Sequence, residues 1–165
     1  MPAPVQRPGR SQQIRATPAS LIEAVKRRLI VDQFSFDLAA DASNTQATCY
    51  LDEQADAIDA RWDWPFLIGK GWGWLNPPFA HLEPWTRRCQ DAAARGAHIA
   101  LLVPAAVGSN WFRDHVDGHA FVLFLNGRLA FLPEKPTWLY PKDCLLALYG
   151  LAPGYEVWNW RAKTL

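Results

Sequence analysis

The chain contains 165 residues, of which 50% are hydrophobic and 20% are charged, and its formal net charge is +1. These values are typical of a globular protein that buries a sizeable core in one domain, and they exclude a strongly basic chain. No apolar run approaches the roughly 18 residues of a membrane span, so we predict no membrane partner.

Residues 1–16 are rich in Pro, Arg and Gln and lack the apolar core of a signal peptide, so they predict a flexible basic arm before a single domain over 17–165. The charge is uneven, because 32–63 is acidic and the C-terminal half is mildly basic. A polyanion can meet the arm and the basic half. Charge alone nevertheless favours an ordinary solvated surface.

The three cysteines, Cys49, Cys89 and Cys144, are scattered without pairing or metal spacing. An odd, scattered set suits a reducing cytoplasm, and each cysteine is predicted to be a small buried apolar residue. The four histidines have no metal-binding pattern either, so no metal site is predicted.

The N-terminal half predicts one helix and two strands. Thr17-Pro18 predicts the start of a helix that runs to about Ile30, with Thr17 as N-cap and Pro18 at the first helical position. The run FSFDLAA at 34–40 predicts a strand with Asp37 near its carboxyl end. A short strand at 48–51 and a helix or turn at 56–62 follow, and 72–75 predicts the next strand.

The C-terminal half is richer in strands. Helices are predicted at 82–95, where Gly96 ends the helix, and at 109–116, where Ser109 is the N-cap. Strands are predicted at 98–103, 121–125, 128–132, 144–149 and 155–160, and Asn126-Gly127 predicts a hairpin between the second and third of these. The fold class is therefore a three-layer α/β fold, mostly parallel with an antiparallel C-terminal portion.

The stretch Asn76-Pro77-Pro78-Phe79 carries the chemistry. Two prolines end the preceding strand, so Asn76 is held extended at the carboxyl edge of the sheet, where α/β sheets place their ligands. The Asn76 side-chain oxygen and the Pro77 carbonyl can each accept one N–H of an exocyclic amine, and Phe79 can stack on the heterocycle. Bonds out of the ring plane would localise the nitrogen lone pair for attack on an activated methyl group.

Ordinary structural roles compete with these functional ones. Asn-Pro-Pro is also common turn chemistry. Asp37 and the alanines after it suit a cofactor pocket without a glycine-rich loop, yet Asp37 also suits an ordinary loop carboxylate. Most of the nine tryptophans are expected to pack in or near the core, and at most one or two, Trp111 among them, to contact a ligand.

From Thr17 to Gly150 the chain resembles the phage-type DNA N6-adenine methyltransferases, which use S-adenosylmethionine. The matching elements occur in the family's order: Thr17-Pro18, FSFDLAA at 34–40, Asn44, Asp56-Ala57-Ile58 with Trp62, Asn76-Pro77-Pro78-Phe79, LLVPA at 101–105, Trp111-Phe112, and Gly127-Arg128-Leu129 with Phe131. No single element is decisive, but the ordered set is specific. The resemblance implies a Rossmann-like methyltransferase in the cytoplasm of a bacterial host, in a phage or prophage context.

The resemblance also implies roles for individual residues. Asn76, Pro77, Pro78 and Phe79 would be catalytic and contact the target adenine. Thr17, Pro18, Asp37, Ala39, Ala40 and Asp56 would form the S-adenosylmethionine pocket. The substrate side would include Arg128, Trp111, Arg87 and Arg88, with the arginines holding DNA phosphates. The target adenine must leave the stack to reach Asn76.

The sequence departs from the family pattern at two places. Phe79 stands where Tyr is commoner, so stacking is kept but a hydroxyl is lost. After LLVPA the chain reads Ala106-Val107-Gly108-Ser109 where relatives carry an Arg-Thr-Asp-like stretch. Without an obvious target-recognition domain, specificity is relaxed or comes from 41–70, from 133–143 or from the partner of a homodimer.

Other activities stay open at the level of the residues. The same turn serves any planar amine or amide, so an RNA base, a cytosine amine or a protein glutamine are alternative substrates. A non-catalytic nucleic-acid-binding relative is a further alternative, because the cofactor loop is weakly marked.

Overall fold

A computed structural model of the chain describes residues 16–39, 45–47, 49–50, 71–131 and 139–162. Several predicted features lie outside these residues: the arm before Ala16, Ala40, Asp56, the helix or turn at 56–62, nearly all of the 41–70 loop and the first part of the 133–143 loop. None of the helices within the described ranges has both the length and the apolar character needed to cross a membrane.

The described residues form a mixed α/β fold around a six-stranded sheet. The strands are β1 (Phe36–Asp37), β2 (Gly73–Leu75), β3 (Ile99–Pro104), β4 (Ala120–Leu125), β5 (Cys144–Tyr149) and β6 (Gly154–Trp158), and the helices are α1 (Ala19–Leu29), α2 (Glu83–Ala94) and α3 (Asn110–His115). Strand order across the sheet is β1-β2-β3-β5-β4-β6.

Strand β5 alone is reversed among the described strands. It pairs antiparallel with both β3 and β4, whereas β1–β2, β2–β3 and β4–β6 are parallel pairs. The prediction of a mostly parallel sheet with an antiparallel C-terminal portion is therefore confirmed.

Continuous apolar runs form the centre of the sheet because both faces of it are buried. All six residues of β3 and of β5 are buried. Along β3, Ile99, Leu101 and Val103 join a core cluster that contains residues of α2 and α3. Ala100 and Leu102 point to a second cluster that contains the apolar side of α1. The alternation follows from the two-residue period of a strand.

The helix ends agree with the sequence except at α1. Gly96 follows α2 with φ 100, and the Ser109 side chain accepts a hydrogen bond from the backbone N–H of Phe112 as N-cap of α3. At α1 the prediction of Thr17 as N-cap is wrong, since Pro18 takes the cap position and no side chain caps the helix. The Thr17 hydroxyl is used elsewhere, as described below.

The first predicted strand is shorter than expected. Among the described residues of this run, 34–39, Phe36–Asp37 alone form β1. Two further backbone hydrogen bonds extend its pairing with the segment that contains β2, from Ser35 N to Trp72 O and from Leu38 N to Trp74 O, each 2.9 Å long.

The predicted hairpin after β4 is wrong. Both sides of β4 are already occupied, by β5 and β6, so a return strand at 128–132 has no edge on which to pair. Residues 128–131 instead leave the sheet, and Gly127 has φ 88. The Arg161 guanidinium donates to the carbonyl oxygens of Asn126 and Arg128, which fixes this turn without a strand.

Candidate active site

The carboxyl ends of β1 and β2 lie side by side. Asp37, the last residue of β1, is in register with Trp74 of β2, and Leu38 continues the pairing by donating to the Trp74 carbonyl. Asn76 comes directly after the last residue of β2. Because the strands are parallel, Asp37 and Asn76 emerge at the same edge of the sheet, the place where such sheets bind ligands.

The Asn76 amide is held by Thr17, which lies just before α1. Its Nδ2 donates to Thr17 Oγ1 over 3.0 Å. Thr17 is buried, with 5% of its surface exposed, and Asn76 is half-buried. Within the described residues this is the hydrogen bond that the Asn76 side chain makes, so its Oδ1 keeps its acceptor capacity for a ligand.

Phe79 belongs to a cluster of three aromatic rings, Phe79, Phe131 and Tyr140. Its ring centroid lies 6.0 Å from that of Phe131 and 5.6 Å from that of Tyr140, both in edge-on geometry. Phe131 and Tyr140 also meet edge-on at 5.7 Å. Tyr140 N donates to Leu129 O over 2.7 Å, which ties the chain after residue 138 to the segment after β4. The cluster fixes the Phe79 ring, which remains half-buried.

Asp37 organises the chain after β1. It is 2% exposed, its Oδ1 accepts from Ala39 N at 3.3 Å, and its Oδ2 accepts from Gln46 N at 2.8 Å. Its backbone N–H donates to Cys49 O, and a parallel bridge joins Asp37 to Tyr50. A carboxylate thus stands at the carboxyl edge next to the Asn76 turn, bound to main-chain N–H groups.

The predicted substrate residues are spread over two helices and the turn after β4. On α2, Arg87 pairs with Glu83 at 2.8 Å and Arg88 is half-buried. On α3, half-buried Trp111 packs against the core cluster shared with α2.

Of the predicted substrate residues, Arg128 lies nearest in sequence to the aromatic cluster. It is exposed, its Nε lies 3.7 Å from Asp143 Oδ1, and it precedes Leu129, whose carbonyl binds Tyr140. Arg128 therefore lies next to the segment that carries Phe131, the residue whose ring contacts Phe79.

Two site contacts were absent from the sequence predictions. The hydroxyl of Thr17 was expected to cap a helix, and Tyr140 was given no role. The Thr17–Asn76 bond spans 59 residues of chain, so no local pattern marks it. The signal for Tyr140 is weak, since it is an aromatic residue two positions after Trp138 and directly before Pro141, with no periodic pattern around it.

The cysteines are divided by burial. Cys89 and Cys144 are buried as predicted. Burial raises the pKa of the Cys89 thiol well above its usual range, and burial with the nearby Asp143 carboxylate raises the pKa of Cys144 to about 12. For Cys49 the prediction of burial is wrong, because it lies exposed in the bridge segment at the β1 edge.

The described residues form a mixed α/β sheet with an Asn-Pro-Pro-aromatic turn at its carboxyl edge, which is the place where sheets of this kind bind their ligands. The family model DNA N-6-adenine-methyltransferase (Dam) matches residues 6–138, which is most of the chain. The chain therefore belongs to the DNA N-6-adenine-methyltransferase family, and the predicted family is confirmed. Comparison with the curated proteins gives no match.

Proposed function

We propose that this protein is an S-adenosylmethionine-dependent enzyme that transfers a methyl group to the N6 amine of adenine in DNA, on a Rossmann-like three-layer fold. The observation that carries the proposal is the Asn76 turn itself. Its amide is fixed at the carboxyl end of β2, beside the Asp37 carboxylate at the end of β1. Membership of the family supports DNA adenine as the substrate.

The catalytic work assigned to the turn is positioning and charge stabilisation. Asn76 Oδ1 accepts one N–H of the adenine amine and the Pro77 carbonyl accepts the other. Because Pro77 and Pro78 have no N–H, neither adds a backbone donor beside these acceptors. As the nitrogen becomes positively charged, the two oxygens are already oriented toward it, so little reorganisation is needed.

Phe79 supplies the apolar surface for the base. Its ring is held edge-on by Phe131 and Tyr140, so its position is set before DNA binds. A base that stacks on a fixed ring loses less freedom at the moment of reaction than one that stacks on a mobile ring.

The residues at the sheet edge fit S-adenosylmethionine by their chemistry. When bound, this cofactor supplies an electrophilic methyl carbon on a positively charged sulfur. Thr17, Pro18, Asp37 and Ala39 would border it, with Ala40 and Asp56 as further proposed contacts outside the described residues. Asp37 adds negative charge at this edge and accepts hydrogen bonds from Ala39 N and Gln46 N. The small side chain of Ala39 lets the backbone approach a ligand closely.

For the DNA side we assign phosphate contacts to Arg87, Arg88 and Arg128. Arg87 pairs with Glu83, and Arg128 lies near Asp143, each at an exposed position. Exposed pairs of this kind are worth only about 0–1 kcal/mol, so both arginines can exchange their carboxylate for a phosphate at little cost. Trp111 is the proposed aromatic contact on the same side.

The test is methyl transfer from labelled S-adenosylmethionine to adenine-containing DNA by the wild type and by Asn76→Ala. We expect the wild type to produce N6-methyladenine, identified by mass analysis of the digested nucleosides. Asn76→Ala should lower the single-turnover rate on the order of 10²–10³-fold, as removal of one preorganised polar group does at other active sites.

Asn159→Ala is the matched control. It also removes an amide, but from an exposed position after β6. It should methylate at the wild-type rate. Wild-type product on cytosine, on RNA or on protein would assign a different substrate, and an active Asn76→Ala variant would reject the mechanism.

A further inference from the structure

The Thr17 hydroxyl has a partner that its sequence context does not predict. A threonine before proline at a helix start commonly caps the helix, a bond worth about 1 kcal/mol. Here α1 has no side-chain cap, and its first intrahelical bonds run from Leu21 N and Ile22 N to the carbonyl of Pro18, the cap residue. The hydroxyl lies against Asn76 Nδ2 at 3.0 Å. A local rule broken at one residue, with the side chain turned toward a special turn, is typical of a functional site.

The two ends of a side-chain amide have opposite hydrogen-bonding character. The oxygen accepts two hydrogen bonds and the NH2 donates two. An adenine amine needs acceptors, so only the rotamer with Oδ1 toward the base is productive. If the amide turned over, its NH2 would face the NH2 of the base, donor against donor.

In the structure the Thr17 contact is made by the Nδ2 end of the amide, so the rotamer present is the one that leaves Oδ1 free of Thr17. With Nδ2 bound to Thr17, Oδ1 lies at the other corner of the planar amide group and points away from Thr17. The contact is sheltered from competing water because Thr17 is 5% exposed.

We infer that Thr17 is a positioning residue for methyl transfer: its hydroxyl holds the Asn76 amide with the oxygen toward the substrate amine. This inference rests on the proposed function. Thr17 also borders the proposed cofactor pocket, but its hydroxyl is bonded to Asn76, so loss of the hydroxyl should affect the rate of the chemical step and not the affinity for S-adenosylmethionine.

The experiment compares Thr17→Val with Thr17→Ser in full-length protein. Valine keeps the shape of threonine and removes the hydroxyl, whereas serine keeps the hydroxyl. For each variant we would measure the single-turnover rate, KM for DNA, the Kd of S-adenosylmethionine by calorimetry, and Tm. We expect Thr17→Val to lower the rate about tenfold, the effect of one lost hydrogen bond, with KM and Kd within about twofold. Thr17→Ser should restore most of the rate.

Thr86→Val is the matched control. Thr86 is fully buried on α2, and its hydroxyl donates to Leu82 O. The same chemical change there should lower Tm but leave the rate per folded molecule unchanged. If Thr17→Val reduces folding severely, Thr17→Ala at a temperature where it is folded takes its place.

The outcomes separate the two proposals. A wild type that methylates no adenine rejects the proposed function. If the wild type is active and Thr17→Val has the same rate, the inference is overturned and the proposed function stands. The same conclusion follows if Thr17→Val binds S-adenosylmethionine more weakly but keeps the wild-type rate.

Discussion

At the residue scale, Phe79 has both a structural and a proposed catalytic role. Its ring contacts Phe131 and Tyr140, and it packs against both core clusters. A substitution that removes the ring therefore changes packing and base stacking together. The two contributions have to be separated by a variant that keeps the volume.

We predict that Phe79→Leu lowers kcat/KM for DNA about tenfold, because stacking of a base on an aromatic ring is worth about 1–3 kcal/mol. The free energy of unfolding should fall by less than about 1.5 kcal/mol, since leucine replaces most of the apolar volume. Steady-state methylation and urea unfolding measure the two quantities.

Phe121→Leu is the comparison for this prediction. Phe121 is also half-buried, but it lies on β4 and packs against Gly154 at the far edge of the sheet. It should show a comparable stability change with unchanged kcat/KM. If Phe79→Leu methylates DNA as efficiently as this control, Phe79 has no stacking role.

Residue types at the candidate site were readable from the sequence, but their orientations were not. The prolines after Asn76 and the carboxylate at Asp37 predicted a site at strand ends, and β1 and β2 place both residues at one edge. Whether a hydroxyl caps its helix or binds an amide depends on which distant residue folds against it. Thr17 meets Asn76 only after β2 has docked beside the start of α1.

At the element scale, apolar runs located the central strands but not their directions. β3 and β5 are both fully buried, yet they run antiparallel to each other. Burial on two faces produces the same sequence pattern for either direction. The hairpin predicted from Asn126-Gly127 is wrong for a related reason, because the residues of a turn do not indicate whether the strand before it has a free edge.

The connection from β5 to β6 gives an element-scale prediction. Gly150 has φ 97, and an added Cβ there would lie 2.7 Å from His98 Cδ2 and 2.8 Å from the Ala97 carbonyl. Gly150→Ala therefore combines a left-handed backbone with a main-chain clash. We expect the free energy of unfolding to fall by about 1–3 kcal/mol, measured by urea denaturation.

Gly108→Ala is the control for this substitution. Gly108 lies in the loop before α3, and an added Cβ would meet nothing within 4 Å. Its effect should stay within about 0.5 kcal/mol, as at ordinary surface positions. Equal stabilities of the two variants would show that the β5–β6 turn does not require glycine at position 150.

At the scale of the whole molecule, the family match and the sheet do not end together. The match ends at residue 138, before β5 and β6, yet β5 contributes a fully buried central strand. Tyr140, which contacts Phe79, also lies beyond the match. The core and the candidate site therefore both depend on the C-terminal segment, which the sequence predicted as strands but did not connect to the site.

Three buried weak acids, two of them in the same C-terminal segment, make the stability of the protein fall at alkaline pH. Cys144 and Tyr149 lie on β5, and Cys89 lies on α2. Burial raises the pKa of Tyr149 well above its usual value, as it does for Cys89, and Tyr149 Oη donates to the His115 carbonyl over 2.7 Å. In the folded protein all three groups stay protonated at pH values where they ionise in the unfolded chain.

The direction in which the unfolding free energy changes with pH follows from proton binding. Above about pH 9 the unfolded chain holds fewer protons than the folded one, so the free energy of unfolding falls as pH rises. For Cys144, whose pKa is raised to about 12, the loss runs from about pH 9 to pH 12. Each such group contributes a slope of about 1.4 kcal/mol per pH unit once the pH exceeds its ordinary pKa, about 9 for the two thiols and about 10 for Tyr149. Below pH 8 the three groups contribute no slope.

We predict that Cys144→Ala makes the unfolding free energy fall less steeply between pH 9.5 and 11. The slope should become smaller by about 1.4 kcal/mol per pH unit, the contribution of one ionising group. Urea denaturation at several pH values measures the slope. Leu145→Val, at the next buried position on β5, should lower stability equally at every pH because it removes no titrating group. If both variants keep the wild-type slope, then alkaline destabilisation does not come from the thiol of Cys144, and the thiolate is accommodated in the folded core despite its burial.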